Sequence, residues 1–433
     1  MTKTTEKIYK EILKEITPNK EAQEKIAFIL KDFQRKLKNQ ISKLNIEAEI
    51  FIGGSYAKKT LIQKEKYDVD IFIRFNEKYP NQEISKLTKN ILTNLKPKPN
   101  LRILHGSRDY FQISATKNIE LEILPVKKSP SPEKAENITD LSYSHVSYVN
   151  KKAKAKRVLD EIKISKAFTH ACNCYGAESY IQGFSGYALE LLILHYKSFE
   201  KFLRETIKVK TGKQLIIDIE KQFKRPSEVL LELNSSKLQS PIILVDPTYK
   251  KRNVLAALSQ ETFEKFQTHA RNFLKKPSIN FFHKTQINLE KEKTKAEKNK
   301  NQFLILEIQT AKQPGDIAGT KLLKFYKHLN QEISKVFDIK NSGFLYNEKQ
   351  SARIFLSVKP KKQIVFQGPN LKEKHHVKKF KKIHKKTLIK NNTIYAKEIP
   401  IQSLKEFLNV WTKNKANKRK IREMYVKNFK IVE

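Results

Sequence analysis

Cysteine is scarce in this chain of 433 residues, which has only Cys172 and Cys174. One residue separates them, and this spacing is too short for an ordinary disulfide. Two cysteines without a cluster of histidines are also too few for a structural zinc site. The sequence therefore argues against a disulfide-stabilised secreted domain and against a zinc-finger protein, and it predicts two free thiols.

Long apolar segments are also missing. No run of about 18 apolar residues occurs anywhere in the chain, although a transmembrane helix needs roughly that length. The first residues, MTKTTEKIYKEIL, are charged and have a helical pattern, without the apolar core of a signal peptide. The sequence predicts a cytoplasmic protein that makes no use of a membrane.

Acidic residues are few relative to basic ones. Asp and Glu number 45 against 87 Lys and Arg, so the formal net charge is +42. Nucleic acid is the usual partner for such a charge, because each neutralised phosphate releases counterions. Salt adaptation or drift toward lysine is the alternative interpretation. An anionic membrane surface is disfavoured, since no basic amphipathic segment stands apart from the folded pattern.

The spacing of apolar residues indicates an α+β protein with more than one domain, as expected at this length. The first part should contain two helices within residues 3–45, strands at 48–52, 69–75, 110–116 and 119–125, and a helix at 83–95. A helical part should follow, with helices at 159–172, 186–203 and 254–274. The last part should contain a strand at 303–309, a helix at 321–337, and strands at 343–346 and 351–358.

That last order, βαββ, is typical of ferredoxin-like and RNA-recognition domains. Residues 372–390 are very basic and are interleaved with Phe380 and histidines. Such a run suits a surface that lies along nucleic-acid phosphates.

A glycine turn and two nearby aspartates carry most of the chemical information. The segment GGSYAKKT begins at Gly53, directly after a predicted strand, and Asp68 and Asp70 follow on the next strand. Residues i and i+2 of a strand face the same side, so the two carboxylates should converge. Their repulsion favours a bound cation, and Mg²⁺ combines a few carboxylate oxygens with water and phosphate.

A further carboxylate should come from the neighbouring strand IELEILP, which offers Glu120 and Glu122 on one face. Two magnesium ions held in this way can activate an attacking hydroxyl and stabilise a leaving pyrophosphate. Backbone N–H groups at Gly54, the Ser55 hydroxyl and the Lys58 ammonium are candidate triphosphate ligands. The aspartate pair alone would also fit an exposed strand, and the glycine pair alone would also fit an ordinary turn. The succession of the two, with an acidic strand after them, favours phosphoryl transfer.

Taken in order, these segments resemble the archaeal-type (class I) CCA-adding enzymes, which are tRNA nucleotidyltransferases. The resemblance continues after DVDIF through LEILP, DEIKISKAF, QGFSGY and DPTYKKRNV, and it fades after residue 282. QGFSGY and DPTYKKRNV have no meaning for nucleotidyltransferases in general, so the series is specific. Two departures occur: the third carboxylate position holds Glu122 instead of the family's Asp, and the segment between Thr60 and Asp68 is one residue longer than in some members of the family.

The resemblance implies roles for particular residues. Asp68, Asp70 and Glu122 are expected to be catalytic residues and ligands of Mg²⁺. The residues expected to bind the nucleotide are Gly54, Ser55, Lys58, His145, Lys166, Tyr175 and Arg252. Arg252 should contact the incoming base, because fixed donors distinguish cytosine and adenine from other bases. From the residues alone, a phosphate or carboxylate contact fits Arg252 equally well.

The resemblance also implies an architecture and an activity. We expect a catalytic nucleotidyltransferase head at 1–137, a helical nucleotide-binding neck at 138–260, and an RNA-binding body and tail at 261–433. The enzyme should add CCA to tRNA 3′ ends from CTP and ATP without a template, bind the acceptor stem and T arm, and form a homodimer. The alternatives are a terminal nucleotidyltransferase acting on other RNAs and a catalytically inactive RNA-binding protein.

The charge balance yields a first testable expectation. Binding of tRNA should weaken steeply with salt, because a basic surface contacts phosphates rather than bases. Affinities measured by filter binding between 50 and 200 mM salt should fall by several orders of magnitude, as is typical for about six to ten phosphate contacts. A nearly flat plot of log affinity against log salt would contradict the electrostatic interpretation.

Overall fold

The computed structural model describes residues 3–106, 108–284 and 287–432. The chain divides into two compact units, Met1–Thr285 and Gln286–Glu433. Both units combine helices with sheets, which confirms the predicted α+β class. Every helix within the described ranges is too short or too polar to cross a membrane.

A five-stranded mixed sheet lies in the first unit. Its strands are β1 (Ala48–Ile52), β2 (Tyr67–Phe75), β3 (Leu101–Leu104), β4 (Tyr110–Thr116) and β5 (Ile119–Lys127). Their order in the sheet is β1-β2-β5-β4-β3, and only the central pair β2 and β5 is parallel. The helices are α1 (Lys3–Ile16), α2 (Lys20–Lys43), the short α3 (Gly54–Ala57) and α4 (Asn81–Thr93).

Alternation along β2 and β5 places the two faces of this sheet in different environments. Val69, Ile71, Leu121 and Ile123 are buried in the core that the sheet forms with α2 and α4. The acidic residues of the same strands are at the intervening positions and so point to the opposite face. The apolar pattern that builds the core therefore also selects the face on which the carboxylates lie.

The rest of the first unit is mainly helical. Its helices are α5 (Ser142–Lys152), α6 (Lys156–Ala171), α7 (Gly186–Tyr196), α8 (Phe199–Thr206), α9 (Pro226–Glu232) and α10 (Gln260–Lys275). A small sheet consists of β6 (Leu215–Ile217), β7 (Ile242–Asp246) and β8 (Tyr249–Asn253). Ile8, Tyr9 and Ile12 of α1 are buried in this second core, so α1 packs with the helices although it precedes the large sheet in sequence.

Phe168 of α6 stands at the centre of the helical core. It is fully buried, and its ring lies 5.1 Å from Phe199, 5.5 Å from Phe273 and 5.4 Å from Phe282, measured between ring centroids. These rings come from three different segments of the chain. The aromatic cluster therefore holds α6, α8, α10 and the turn at Ile279–Phe282 together.

The second unit opens with α11 (Leu289–Lys298) and is built on an antiparallel sheet of β9 (Gln302–Thr310), β10 (Phe337–Tyr346), β11 (Ser351–Pro360) and β15 (Val426–Ile431). The sheet order is β10-β11-β9-β15, with α12 (Asp316–Val336) between β9 and β10. The predicted βαββ order is therefore present. A smaller sheet contains β12 (Ile364–Asn370), β13 (Thr387–Lys390) and β14 (Thr393–Glu398), and α14 (Leu404–Lys413) and α15 (Lys415–Glu423) follow it.

The basic run at 372–390 forms helix α13 (Lys374–Ile383) and continues into β13. Five lysines occur in α13, and its lysine side chains are exposed. Phe380 is half-buried and contacts His384, with ring centroids 4.4 Å apart. The aromatic side chain therefore helps to fix the helix to its small sheet, while the positive charges face solvent.

Several boundaries differ from those predicted. The segment 186–203 is two helices, because Lys197 adopts φ +61 and ends α7 before Ser198 caps α8. Helix α10 begins at Gln260, where Ser259 caps it, and not at residue 254. Strand β10 begins at Phe337 rather than 343, and the sequence pattern did not predict strand β3.

The packing of Phe168 gives an expectation for stability. Phe168→Ala should lower the free energy of unfolding by about 3 to 5 kcal/mol, because a large cavity opens among rings that cannot close over it. Urea denaturation followed by circular dichroism measures the change. Phe28→Ala is the control, since Phe28 is 76% exposed and its removal should alter stability by less than about 0.5 kcal/mol.

Candidate active site

A glycine turn joins β1 to α3 and contacts the strand that bears the aspartates. The Gly53 N–H donates to the carbonyl of Asp70 at 2.9 Å, which ties the turn to β2. Gly54 adopts φ +59, and a Cβ at this position would lie 1.7 Å from Oδ2 of Asp70. Only glycine fits here, because any side chain would combine backbone strain with a clash against this carboxylate.

The parallel pairing of β2 with β5 brings four acidic residues to one face. Asp68 is opposite Glu120, and Asp70 is opposite Glu122. The register joins residues that are more than fifty positions apart in sequence. It therefore produces the acidic cluster that the spacing of residues suggested, behind the glycine turn.

The two glutamates of this cluster have different surroundings. Glu120 is buried, and its carboxylate lies 2.7 Å from the Lys66 ammonium and 3.6 Å from the Arg102 guanidinium. Glu122 instead accepts a 2.7 Å hydrogen bond from the side-chain amide of Gln112. Glu120 is thus neutralised by cations, whereas among the described residues Glu122 has only the neutral Gln112 amide at hydrogen-bond distance.

The acidic cluster shifts the ionisation of its members. Burial raises the pKa of Glu122 to about 7, with a further contribution from the negative charge of Asp70. Burial likewise raises the pKa of Asp70 to about 6, although the Lys58 ammonium opposes this and Asp68 adds to it. Both shifts mean that the folded protein holds these charges together at a cost that a cation would remove.

The donor set fits a divalent cation that is also coordinated by phosphate. Asp68 is about half exposed, and the Lys64 ammonium is 3.6 Å from its carboxylate. As the side chains stand, no three Asp, Glu, His or Cys residues in the described ranges are grouped as a complete metal site. Mg²⁺ commonly uses only one or two carboxylates together with substrate phosphates and water, so the pair Asp68 and Asp70 is sufficient for such a role.

A buried cluster of charges lies next to the turn. Glu190 of α7 is fully buried and accepts hydrogen bonds from Lys58 Nζ at 2.6 Å, Thr60 Oγ1 at 2.9 Å and Lys166 Nζ at 2.9 Å. Lys166 also donates to the Thr60 hydroxyl at 2.8 Å. The two lysines lower the pKa of Glu190 to about 2 against the opposing effect of burial, and burial lowers the pKa of Lys166.

A second buried carboxylate organises another group of predicted nucleotide ligands. Asp246 is fully buried; its Oδ2 accepts from Arg252 Nη1 at 2.6 Å and lies 3.0 Å from His145 Nε2. The Tyr187 hydroxyl donates to Oδ1 at 3.1 Å, and the Tyr187 ring stacks on His145 with centroids 4.1 Å apart. The backbone N–H and the hydroxyl of Thr248 also donate to Oδ1, at 2.9 and 2.8 Å.

Tyr187 connects the two clusters. The Lys58 ammonium lies 5.8 Å from the centre of its ring and the Arg252 guanidinium lies 5.9 Å from it. A tyrosine ring attracts cations on its faces. Side chains from the glycine turn, α5, α7 and β8 therefore form one continuous polar surface, and the tyrosine is in the middle of it.

Tyr175 packs near this surface. Its ring stacks on His170 with centroids 3.8 Å apart, and a Cβ on Gly186 would lie 2.8 Å from its hydroxyl. Burial raises the pKa of Tyr175, and the nearby Glu190, Glu178, Asp70 and Asp68 raise it further. The phenol is therefore neutral and close to the acidic cluster.

The structure thus brings most of the predicted site residues near one another. Lys58 and Lys166 meet at Glu190, His145 and Arg252 meet at Asp246, and Asp70 contacts the glycine turn beside Ser55. Their roles in binding a nucleotide or a metal remain predictions. Among the described residues, the known contacts of Arg252 are with Asp246, His145 and Tyr187, so the carboxylate contact is the one observed.

Three residues of this surface were not identified in the sequence. Glu190 lies in the otherwise apolar run ALELLIL, and a lone acidic residue in such a run indicates a buried ionic role. Asp246 opens the DPTYKKRNV segment, where an Asp followed by Pro indicates only a turn. Tyr187 is the last residue of the QGFSGY segment, but its polar role was not identified, since a tyrosine at the start of an apolar helix usually packs in a core.

Two family models match the parts of the chain that contribute residues to this site. Residues 160–283 match the model of the second domain of tRNA nucleotidyltransferases, and residues 2–164 match the model of second messenger oligonucleotide or dinucleotide synthetase domains. The chain resembles solved structures as well. One of them is the structure of Cid1, which is described as having RNA terminal uridylyl transferase activity. The match covers 66% of this chain and 99% of Cid1, with a TM-score of 0.51 and 10% sequence identity. At this identity the likeness concerns the fold alone.

Curated relatives give the more specific comparison. The CCA-adding enzyme of Methanocaldococcus jannaschii is 31% identical over 407 residues, which are 91% of this chain and 87% of that enzyme. The CCA-adding enzyme of Nanoarchaeum equitans is 43% identical over 215 residues, which are 50% of this chain and 52% of that enzyme. The chain thus spans about half the length of the second relative and most of the first.

The raised pKa of Glu122 predicts a dependence of stability on pH. Because the folded pKa of about 7 is above the ordinary value of 4.5, the neutral acid is favoured on folding. The stabilisation of the folded state that the neutral Glu122 carboxyl contributes is complete below pH 4.5, and it is lost as the pH rises through 7. In the metal-free protein, the stability of Glu122→Gln relative to wild type should therefore rise by up to about 3 kcal/mol between pH 4.5 and 8.

Urea unfolding in EDTA at several pH values measures this difference. Glu120→Gln is the matched control, because its carboxylate is paired with Lys66 and Arg102 and its removal should give no such gain at high pH. A relative stability of Glu122→Gln that does not change with pH would contradict the assignment of Glu122 to the unneutralised part of the cluster.

Proposed function

The chain belongs to the family of archaeal CCA-adding enzymes, and on this premise we propose that it completes the 3′ end of tRNA without a nucleic-acid template. The reaction adds C, C and A in turn. The 3′-hydroxyl oxygen of the tRNA forms a bond to the α-phosphorus of CTP or ATP, the bond from that phosphorus to the β-phosphate oxygen breaks, and pyrophosphate leaves.

The observation that supports this proposal most strongly is the acidic face behind the glycine turn. Asp70 lies against Gly54, it is paired in register with Glu122, and Lys58 is close enough to lower its pKa. Nucleotidyltransferases of this kind generally use divalent metal ions. We assign Asp68, Asp70 and Glu122 as the residues that hold them, and Mg²⁺ as the ion. When bound, two such ions activate the 3′-hydroxyl and stabilise the leaving pyrophosphate.

The protein's own side chains position the nucleotide. The N–H groups at Gly54 and the Ser55 hydroxyl are placed at the start of α3, where a triphosphate can receive their hydrogen bonds. Lys58 and Lys166 add positive charge behind the turn, His145 stacks on Tyr187 in the same surface, and Tyr175 packs near it against Gly186. Binding here excludes water from the triphosphate on the side of the helices, because Lys58, Lys166 and Glu190 are buried.

Arg252 is our candidate for contact with the base. Asp246 holds its Nη1 atom, so the guanidinium has a fixed direction in the absence of a nucleotide. A fixed set of donors can satisfy the acceptors of cytosine or adenine and leaves groups unpaired with other bases. This makes discrimination a property of the orientation of Arg252.

The basic second unit is proposed to bind RNA. Helix α13 presents its lysines to solvent without an acidic residue among them. This pattern supports contact with the phosphates of the acceptor stem and T arm of tRNA. We further propose a homodimer, and a division into a head at 1–137, a neck at 138–260 and a body with tail at 261–433, as the family resemblance implies.

One experiment separates this function from its alternatives. Purified protein is incubated with tRNA lacking CCA, tRNA ending in C, or tRNA ending in CC, each with one labelled nucleotide. A CCA-adding enzyme incorporates only CMP into the first two and only AMP into the third. Uridylate or repeated adenylate addition would indicate a different terminal nucleotidyltransferase, and tRNA binding without incorporation would indicate an inactive RNA-binding protein.

Loss of either aspartate should separate catalysis from binding. Asp68→Ala and Asp70→Ala should each abolish nucleotide addition while the Kd for tRNA stays nearly unchanged, because tRNA affinity rests on distributed phosphate contacts. Incorporation assays and filter binding measure the two properties. Addition at more than a few per cent of the wild-type rate would count against the assignment of these metal ligands.

The two glutamates should respond differently. Glu122→Gln should lose most activity and Glu122→Asp should keep a substantial part of it, since Asp is the residue that the family usually has here. Glu120→Gln should be mild, because Lys66 and Arg102 already neutralise that carboxylate. The turnover number and KM for CTP measure the effects; a severe Glu120→Gln with a mild Glu122→Gln would show that the register of the site was assigned wrongly.

A further inference from the structure

Glu190 is a fully charged group in an apolar helix. Its relative exposure is 0%, and its neighbours Leu189, Leu191 and Leu192 are buried to the same extent. Burial of an ionised carboxylate costs several kcal/mol unless it is fully paired. An apolar residue would serve the stability of α7 equally well, so the charge itself calls for an explanation.

The hydrogen bonds of the two lysines show that they are not equivalent. An ammonium has three donors. Lys166 Nζ makes three contacts inside the protein, to Glu190 Oε1 at 2.9 Å, to the Thr60 hydroxyl at 2.8 Å and to the Thr60 carbonyl at 3.4 Å. Within the described part of the chain, Lys58 Nζ donates one hydrogen bond, to Glu190 Oε2 at 2.6 Å. Two donors of Lys58 are therefore left for another group.

The charges of this cluster lead to the same conclusion. Glu190 carries one negative charge, whereas Lys58 and Lys166 carry two positive charges between them, so the buried group has a net charge of +1. Lys166 is saturated by internal contacts and balances Glu190. The excess positive charge therefore belongs to Lys58, which directly follows the short helix of the glycine turn.

We propose that Glu190 is a positioning residue for nucleotide binding: it holds the Lys58 ammonium next to the glycine turn so that the two remaining N–H donors bind the triphosphate. Lys166 and Thr60 hold the Glu190 carboxylate in place, because both donate hydrogen bonds to its other oxygen, Oε1. This inference rests on the proposed function, since it specifies how one part of that site binds the phosphates of CTP and ATP. Glu190 acts through Lys58 and makes no contact with the nucleotide itself.

The test measures the affinity of the full-length protein for CTP with Mg²⁺ and without RNA, by isothermal titration calorimetry. Glu190→Gln should weaken binding by about tenfold, as expected when a hydrogen bond to a charged group is lost. The Kd for tRNA should be unchanged. Glu161→Gln is the matched control: Glu161 is also a buried glutamate of the helical core, but its carboxylate accepts from the Phe199 N–H at 2.7 Å and is not in contact with Lys58.

A double-mutant cycle distinguishes positioning from a general structural effect. If Glu190 acts through Lys58, then Glu190→Gln should have little further effect on CTP affinity in a Lys58→Gln background. Additive losses would overturn the proposal. So would a Glu190→Gln variant that binds CTP as wild type does and shows only a lower melting temperature.

Two further arms keep the outcome interpretable. If Glu190→Gln does not fold, Thr60→Val replaces it: this change loosens the Glu190 carboxylate without altering any charge, and it should weaken CTP binding by about threefold, a smaller effect than loss of the charge. An unchanged affinity would then contradict the proposal. A wild-type protein that binds CTP but does not extend tRNA contradicts only the proposed function, whereas active protein with an unaffected Glu190→Gln variant contradicts only this inference.

Discussion

The parallel register between β2 and β5 is the constraint on which the site depends. It sets Asp70 opposite Glu122, and it does so in the interior of a sheet whose other face is a packed apolar core. A shift of one residue would turn the carboxylates into that core. The energy that fixes the register is therefore the burial of valine, isoleucine and leucine side chains, and the acidic face is a consequence of it.

Positive charge balances this acidic face from the helical side. Lys58 follows the glycine turn, yet its hydrogen-bond partner Glu190 lies on α7, 132 residues later in the sequence. Asp246 plays a comparable part for Arg252 and His145. Both carboxylates are fully buried, and each one orients side chains that would otherwise move freely. The candidate site thus uses buried anions to fix the directions of cationic side chains.

The two departures from the family pattern have different structural consequences. The extra residue between Thr60 and Asp68 falls in the segment between α3 and β2, and the Thr60 contacts with Glu190 and Lys166 are intact. Glu122 is different, because its longer side chain reaches Gln112 and its pKa is raised to about 7. The first change is absorbed by a connection, whereas the second alters the donor set of the proposed metal site.

The sequence by itself determined the α+β class, the strands with the carboxylates and the glycine turn, because the alternation of apolar residues and the pair of glycines after a strand are written in neighbouring residues. It also indicated the family, through motifs in a specific order. Tertiary structure alone decided that α1 joins the helical core, that α7 ends at Lys197, and that Glu190 and Asp246 are centres of charge. The packing of α1 and the roles of Glu190 and Asp246 arise from contacts between residues far apart in the chain, and periodicity carries no record of such partners; the end of α7 depends on the left-handed conformation of Lys197, which the apolar pattern does not show.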